Sequence, residues 1–170
     1  MEKIPLTEMA ELADMQARAG FSAVESFALH RPLLAQHAAS YDPRVRSRIE
    51  RGATMSASDY IDLLNARQHW IVRMEAALAP FDALLSPTVP LVAPPIADVA
   101  PGAERDAEFF RINALLLRNT SVVNMLDGCA LSLPCHMAGE LPVGLMVWHG
   151  ALHDDAVLNV GLQIEQILQK

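Results

Sequence analysis

Lysine is almost missing from this 170-residue sequence: Lys3 and Lys170, one near each end, are the only two. With a formal net charge of −7, the chain has no cluster of basic side chains, which argues against a nucleic-acid partner. Aromatic residues are scarce as well, at 5%, so Ala, Leu, Val and Met must carry the packing. No apolar run approaches the ~20 residues that a membrane helix requires. The opening Met1-Glu2-Lys3-Ile4-Pro5 lacks the apolar segment of a secretory signal. The cysteines are only two, Cys129 and Cys135, and they form neither a disulfide framework nor a metal pattern. These absences predict a cytoplasmic protein with free, mostly buried thiols, no membrane partner, no metal and no cofactor.

What is present is an apolar fraction of 52%, slightly above the roughly 45–50% usual for a soluble domain. The length suffices for one domain with its own core, spanning residues 1–170. Thr7 reads as the N-cap of a first helix running to Ala19, with Gly20 as its stop. Ser22-Ala23-Val24-Glu25 reads as a capping box opening a second helix, kinked or interrupted at Pro32. Asp42-Pro43 gives a third start, an N-cap followed by proline at the first helical position, and Gly52 its end. Ser56-Ala57-Ser58-Asp59 opens the longest helix, to about Ala79. Its apolar stripe is Tyr60, Leu64, Ile71, Met74 and Leu78.

After Pro80, Ala83 to Ser86 is a short strand leading into a proline-rich, extended crossing that ends at Pro101. Helix resumes from Glu104 to about Met125, with Phe109, Ile112, Leu116 and Val123 aligned. Two apolar runs follow, Cys129 to Leu133 and Val143 to Trp148. Neither alternates with polar residues, so both are predicted to be strands covered on both faces. A polar hairpin-like connection, Cys135 to Glu140, joins them. Asp154 or Asp155 caps a last helix whose Val157, Val160, Gly161, Ile164 and Leu168 line one side. The long helical crossover between the first two strands favours a mixed or parallel sheet.

Asn124-Met125-Leu126-Asp127-Gly128-Cys129-Ala130-Leu131-Ser132-Leu133-Pro134, followed by Leu141-Pro142-Val143-Gly144-Leu145-Met146, strongly resembles the closing segment of the amidase signature family. Asp82-Ala83-Leu84-Leu85-Ser86-Pro87-Thr88-Val89-Pro90 looks like the same family's strand and Pro-Thr turn, and Tyr41-Asp42-Pro43-Arg44-Val45 and Ser58-Asp59-Tyr60 also fit. The resemblance covers nearly the whole chain but only the last third of a typical member. It implies an α/β fold: the helix-rich C-terminal part of the amidase signature fold, with about three strands of a mixed sheet flanked by helices.

Members of that family use two serines in a Gly-Ser-rich stretch and a lysine base that must be largely neutral to accept a proton. This sequence has no consecutive glycines, and its lysines are terminal. No catalytic residue is therefore assigned. The resemblance does imply a substrate-pocket lining role for Thr120, Val123 and Asn124, near the acyl side. Amidotransferase A subunits carry an acidic residue three positions before the matching Thr. Leu117 stands there instead and cannot pair with an ammonium group. Together with the longer Asn-Met-Leu-Asp-Gly run, the resemblance points to the general amidase or allophanate-hydrolase-like branch rather than to the amidotransferase A subunit.

Other chemistry is weaker. Cys135 and His136 are strand neighbours expected on opposite faces, a buried thiol beside a surface imidazole. His149 and His153 have a metal-pair spacing, but His149-Gly150 reads as a strand exit and the region as a polar loop with a helix cap. His30, His37 and His69 are expected at solvated or satisfied positions. The side chain of Asp127 is expected to bond backbone in a turn. Gly128 and Gly144 are expected to serve a positive φ or a close backbone approach.

Two functions follow. One is the C-terminal part of an amidase that cleaves carbon–nitrogen amide bonds by a Ser–Ser–Lys mechanism, inactive alone, acting on a small-molecule amide once joined to the missing N-terminal part. The other is a non-catalytic structural or binding remnant that self-associates as a homo-oligomer. A small independent cysteine or metal hydrolase is the third and least supported.

Overall fold

The structure, a computed structural model, describes residues 2–17 and 19–168. The chain divides into two compact units, Met1–Val72 and Arg73–Lys170. In the first, a single 3-10 turn at Thr7–Ala10 runs into α1, Glu11–Gln16. Thr7 does not cap it: Leu6 holds the cap position without a side-chain bond. Gly20 is not the stop of α1 but the first residue of α2, Gly20–His37, with φ +72°. No side chain caps α2, so Ser22 lies inside the helix instead of forming a capping box. Pro32 does not interrupt α2, which continues for five residues beyond it.

The third start behaves as expected. Asp42 accepts the amides of Arg44 at 2.9 Å and Val45 at 3.2 Å ahead of α3, Pro43–Glu50. These two bonds satisfy amides that the first helical turn leaves orphaned. Gly52 does not end α3 but sits in the 3-10 turn Arg51–Thr54. It lies so close to α2 that a Cβ there would collide with the Ala23 carbonyl. At α4, Ala57–Leu78, Ser56 Oγ accepts the Asp59 amide at 3.1 Å while Asp59 Oδ2 accepts the Ser56 amide at 3.2 Å. That reciprocal pair is a capping box with Asp at its fourth position. The buried stripe of α4 carries Leu63 in place of Leu64, which is 43% exposed. Trp70, Ile71, Met74 and Leu78 are buried. The Trp70 indole N–H donates to the Glu8 carbonyl at 2.8 Å.

The second unit holds the sheet. β1 (Leu84–Pro87), β2 (Cys129–Pro134) and β3 (Gly144–His149) lie in the order β1-β3-β2. The helical crossover returns β2 parallel in direction to β1. The later strand β3 inserts between them, so both ladders within this chain are antiparallel rather than mixed. As the central strand, β3 is buried from Met146 to His149. β2 departs from expectation: its burial alternates, with Ala130, Ser132 and Pro134 exposed and Leu133 buried. Ala and Ser at the outer positions are too small and weakly polar to register as a solvent face in the sequence.

The crossing after β1 is extended at first, then forms α5, Ile96–Val99, and a 3-10 turn at Ala103–Arg105. The next helix divides into α6, Asp106–Arg118, and α7, Thr120–Met125. α8, Asp154–Leu168, starts at Asp154 itself, and the His153 carbonyl accepts the Val157 amide at 3.0 Å. The two aspartates thus lie in its first turn, where they complement the helix dipole. Val157, Val160 and Ile164 pack on Leu131, Leu133 and Val147. Leu168 is 44% exposed and lies off that core.

Candidate functional site

The family-like segments meet at one end of the sheet. Asn119, at the junction of α6 and α7, donates its side-chain amide to the Pro87 carbonyl at 2.8 Å. That bond ties the helix junction to the end of β1. One residue on, Thr120 donates its hydroxyl to the Leu117 carbonyl at 3.3 Å, and Leu117 itself is 42% exposed. Thr120, Val123 and Asn124 fall at i, i+3 and i+4 on one face of α7. Val123 is buried, Thr120 half-buried and Asn124 exposed.

The end of α7 is set by backbone geometry. The Gly128 amide reaches the Val123 carbonyl at 3.0 Å, and the Asp127 amide reaches that of Asn124 at 3.3 Å. Those bonds define a Schellman ending with Asp127 in the left-handed position, φ 54°. Gly128 is not in that conformation. It is needed because β3 passes close: a Cβ on it would fall under 3.0 Å from the His149 carbonyl oxygen.

A pair of hydroxyls was not foreseen. Thr88 Oγ1 and Ser132 Oγ lie 2.6 Å apart, and the Thr88 amide donates to the Gly144 carbonyl at 2.8 Å. A Cβ on Gly144 would sit 2.6 Å from both hydroxyl oxygens, so the bare glycine makes room for the pair. One hydroxyl donates to the other, leaving one O–H donor and spare acceptor lone pairs. Among the described residues no titratable side chain is hydrogen-bonded to either hydroxyl, so such a pair can orient a polar group but is not an activated nucleophile. Both residues lie within the family-like runs, but their meeting depends on strand order.

Beyond β2, Cys135 is exposed rather than buried. Its thiol points to the Val143 carbonyl at 3.5 Å, and the Val143 amide approaches His136 Nδ1 at 3.4 Å. Strand alternation does not separate the two side chains, because both residues lie past the last residue of β2. Cys129 is half-buried, its thiol 3.4 Å from the Gly150 carbonyl.

His149 is 3% exposed. Its Nδ1 accepts the Gly150 amide at 2.7 Å, so the ring proton sits on Nε2 and is donated to the Phe81 carbonyl at 3.1 Å. Its ring stacks on that of His153 with centroids 3.8 Å apart. Burial first, and then His153, hold its pKa below the ordinary value. Both nitrogens are engaged with backbone, and no group of three or more metal-ligating side chains is assembled among the described residues. His30 is satisfied by the Tyr41 hydroxyl at 2.8 Å.

Comparison with known proteins decides the family. The Amidase family model matches residues 5–158. The chain belongs to the amidase family. A 2-amino-5-chloromuconic acid deaminase of Comamonas testosteroni is 26% identical over 98% of this chain and 35% of its own length. A crystal structure of an amidase matches 93% of the chain with a TM-score of 0.72 and 26% identity, over 36% of that amidase. An allophanate hydrolase of Kluyveromyces lactis matches 91% with a TM-score of 0.73 and 26% identity, over 24% of its length. The chain therefore spans about a third or less of these relatives. No helix among the described residues is long and apolar enough to cross a membrane.

Proposed function

We propose that residues 1–170 are the C-terminal part of an amidase that hydrolyses carbon–nitrogen amide bonds by a Ser–Ser–Lys mechanism, and that the chain is inactive alone. One observation carries this reading: nearly all of the chain matches, yet it accounts for only 24–36% of each relative. Lys3, the one described lysine, is exposed on the segment before α1, the wrong environment for a neutral base. In this reading Thr120, Val123 and Asn124 line the acyl side of a pocket whose nucleophile and base lie in the missing N-terminal part. The deaminase and allophanate hydrolase among its relatives support a small-molecule amide or related compound as substrate. A cytoplasmic site of action and the absence of a cofactor belong to the same proposal. A serine-reactive fluorophosphonate should label an intact relative and leave this chain unlabelled. Stoichiometric labelling of any of its serines overturns the reading.

A second reading, a non-catalytic remnant that self-associates, is favoured by the unequal edges of the sheet. The outer edge of β1 is blunted: Pro87 has no N–H, and its carbonyl is taken by Asn119. The outer edge of β2 is not. With Cys135 N–H bonded to Val143 on the β3 side, the alternation of the ladder turns the backbone of Ala130 and Ser132 outward. Among the described residues no hydrogen bond closes those groups. Nearby, Gly161 of α8 rests against Leu131. Leu158 and Leu162, 57% and 55% exposed, lie on the opposite side of Gly161 from Val157, Val160 and Ile164. An open edge beside an apolar flank is a template for pairing. Sedimentation equilibrium separates the outcomes: twice the 18.5 kDa chain mass supports association, and a single species at the chain mass refutes it.

A further inference from the structure

The geometry points to the His149–His153 pair as an acid-sensitive latch that holds the start of α8 against the sheet and releases that helix when His149 is protonated. Three observations carry this inference, and none depends on the amidase reading. The first is the complete use of His149 in its neutral form. Nε2–H donates to the Phe81 carbonyl, and Nδ1 accepts the Gly150 amide at 2.7 Å. A proton added at Nδ1 turns that acceptor into a donor facing another donor, so the ring or the Gly150 backbone must move.

The second is the stack itself. The rings of His149 and His153 are 3.8 Å apart at their centroids and inclined by 33°. They clasp the turn of 150–152 between the last residue of β3 and the residue just before α8. Two neutral rings stack favourably, whereas a cation formed on one disfavours a cation on the other. The third is the turn between them. Leu152 has φ 64°, the left-handed region that a branched apolar side chain avoids, and it is 95% exposed. No packing of its own side chain holds it there. A conformation that costs of order 1–3 kcal/mol persists only where its surroundings enforce it, and the clasp on either side is what does so here.

Other titratable groups lie on every element around the pair. They are Glu75 of α4, against Gly150; Asp82 beside Phe81; Cys129 of β2, its thiol on the Gly150 carbonyl; Asp127 before Gly128; and Asp154 and Asp155 in the first turn of α8. Both ring nitrogens of His149 nevertheless contact backbone, not one of these carboxylates. Burial therefore decides its charge, and the direction of its pKa agrees with that. The sign follows. A histidine whose folded pKa is depressed contributes stability that is present above its unfolded pKa of about 6.5 and is lost as the pH falls below it. The loss falls on α8 because the clasped turn leads directly into it, whereas β3 on the other side is held by a ladder on each edge.

Hydrogen exchange measured by mass spectrometry, corrected for the intrinsic pH dependence of exchange, tests this on the whole chain. Between pH 7.5 and pH 5.0, protection of the α8 amides should fall by about tenfold or more while α6 keeps its protection. His149→Gln retains a donor for the Phe81 carbonyl but does not titrate, so its α8 protection should not depend on pH. Leu152→Gly relieves the turn: it should raise α8 protection at both pH values and leave their ratio unchanged, and it serves if His149→Gln fails to fold. The inference is overturned if wild-type α8 protection is the same at the two pH values. It is equally overturned if the loss persists in His149→Gln, if Leu152→Gly abolishes the pH ratio, or if α6 loses protection in step.

Discussion

Replacing Gly128 by alanine isolates one physical cause. The sequence leaves two reasons for a glycine at this position, a positive φ or a close backbone approach, and the structure selects the second. Gly128 is outside the positive-φ set, while its missing Cβ would press on the His149 carbonyl oxygen and lie 3.3 Å from Val123 Cγ1. A backbone carbonyl in the central strand cannot rotate away as a side chain can. Insertion of one methyl into such a contact costs about 1–3 kcal/mol. Against this stands roughly 0.4–1 kcal/mol from the lower entropy of the unfolded chain. The net expected loss is about 1–2 kcal/mol, or a drop of about 0.5–1 M in urea midpoint for a slope near 2 kcal/mol/M. Trp148, one residue before His149, gives the fluorescence signal. Gly139 is the opposite case, with φ 89° and nothing within 4 Å of a Cβ. Asparagine tolerates the left-handed region, so Gly139→Asn should recover much of what Gly139→Ala loses, whereas Gly128→Asn should be worse than Gly128→Ala. An unchanged midpoint for Gly128→Ala, or rescue by asparagine there, would refute the close-approach argument.

Two further outcomes follow from single residues. Asp127→Gly should move the urea midpoint of the second unit by less than the equivalent of about 1 kcal/mol, because relief of the Cβ penalty at the left-handed Schellman position is offset by the entropy of the unfolded chain and by loss of the aspartate's own interaction. Trp148→Phe should cost less than Trp70→Phe by about 1 kcal/mol in urea titrations: both indoles are buried, but the Trp148 N–H has no protein partner while that of Trp70 holds the Glu8 carbonyl.

How much of this was legible depended on the range of the interaction. Asp42-Pro43 and Ser56 to Asp59 were readable because an N-cap bonds to amides two or three residues away, all within one stretch of sequence. The Schellman ending of α7 was hidden, because an aspartate occupies a position where a glycine would have announced it. Leu63 and Leu64 illustrate a subtler limit. Both are leucines, and a shift of one residue rotates the buried stripe by about 100°, so composition cannot choose between them. The order β1-β3-β2 was out of reach: both the hydroxyl pair Thr88–Ser132 and the role of His149 arise only when β3 lies between its two neighbours.

That strand order also links the two functional readings. Within this chain β3 is satisfied on both sides, and the β1 edge is blunted at Pro87, whose carbonyl Asn119 takes, which leaves only Leu85 of that strand facing outward. On either proposed reading, the outward backbone of Ala130 and Ser132 is the longer open edge to which an added strand, from the rest of an amidase or from a second copy, would pair. One edge has room for one strand. If both proposals hold, pairing of two copies through β2 and completion of an amidase sheet through β2 would compete for the same surface. Self-association would be strongest in the isolated chain and would give way wherever the remaining two-thirds of an amidase is bound. The two readings then differ in what occupies the edge, not in how this chain folds.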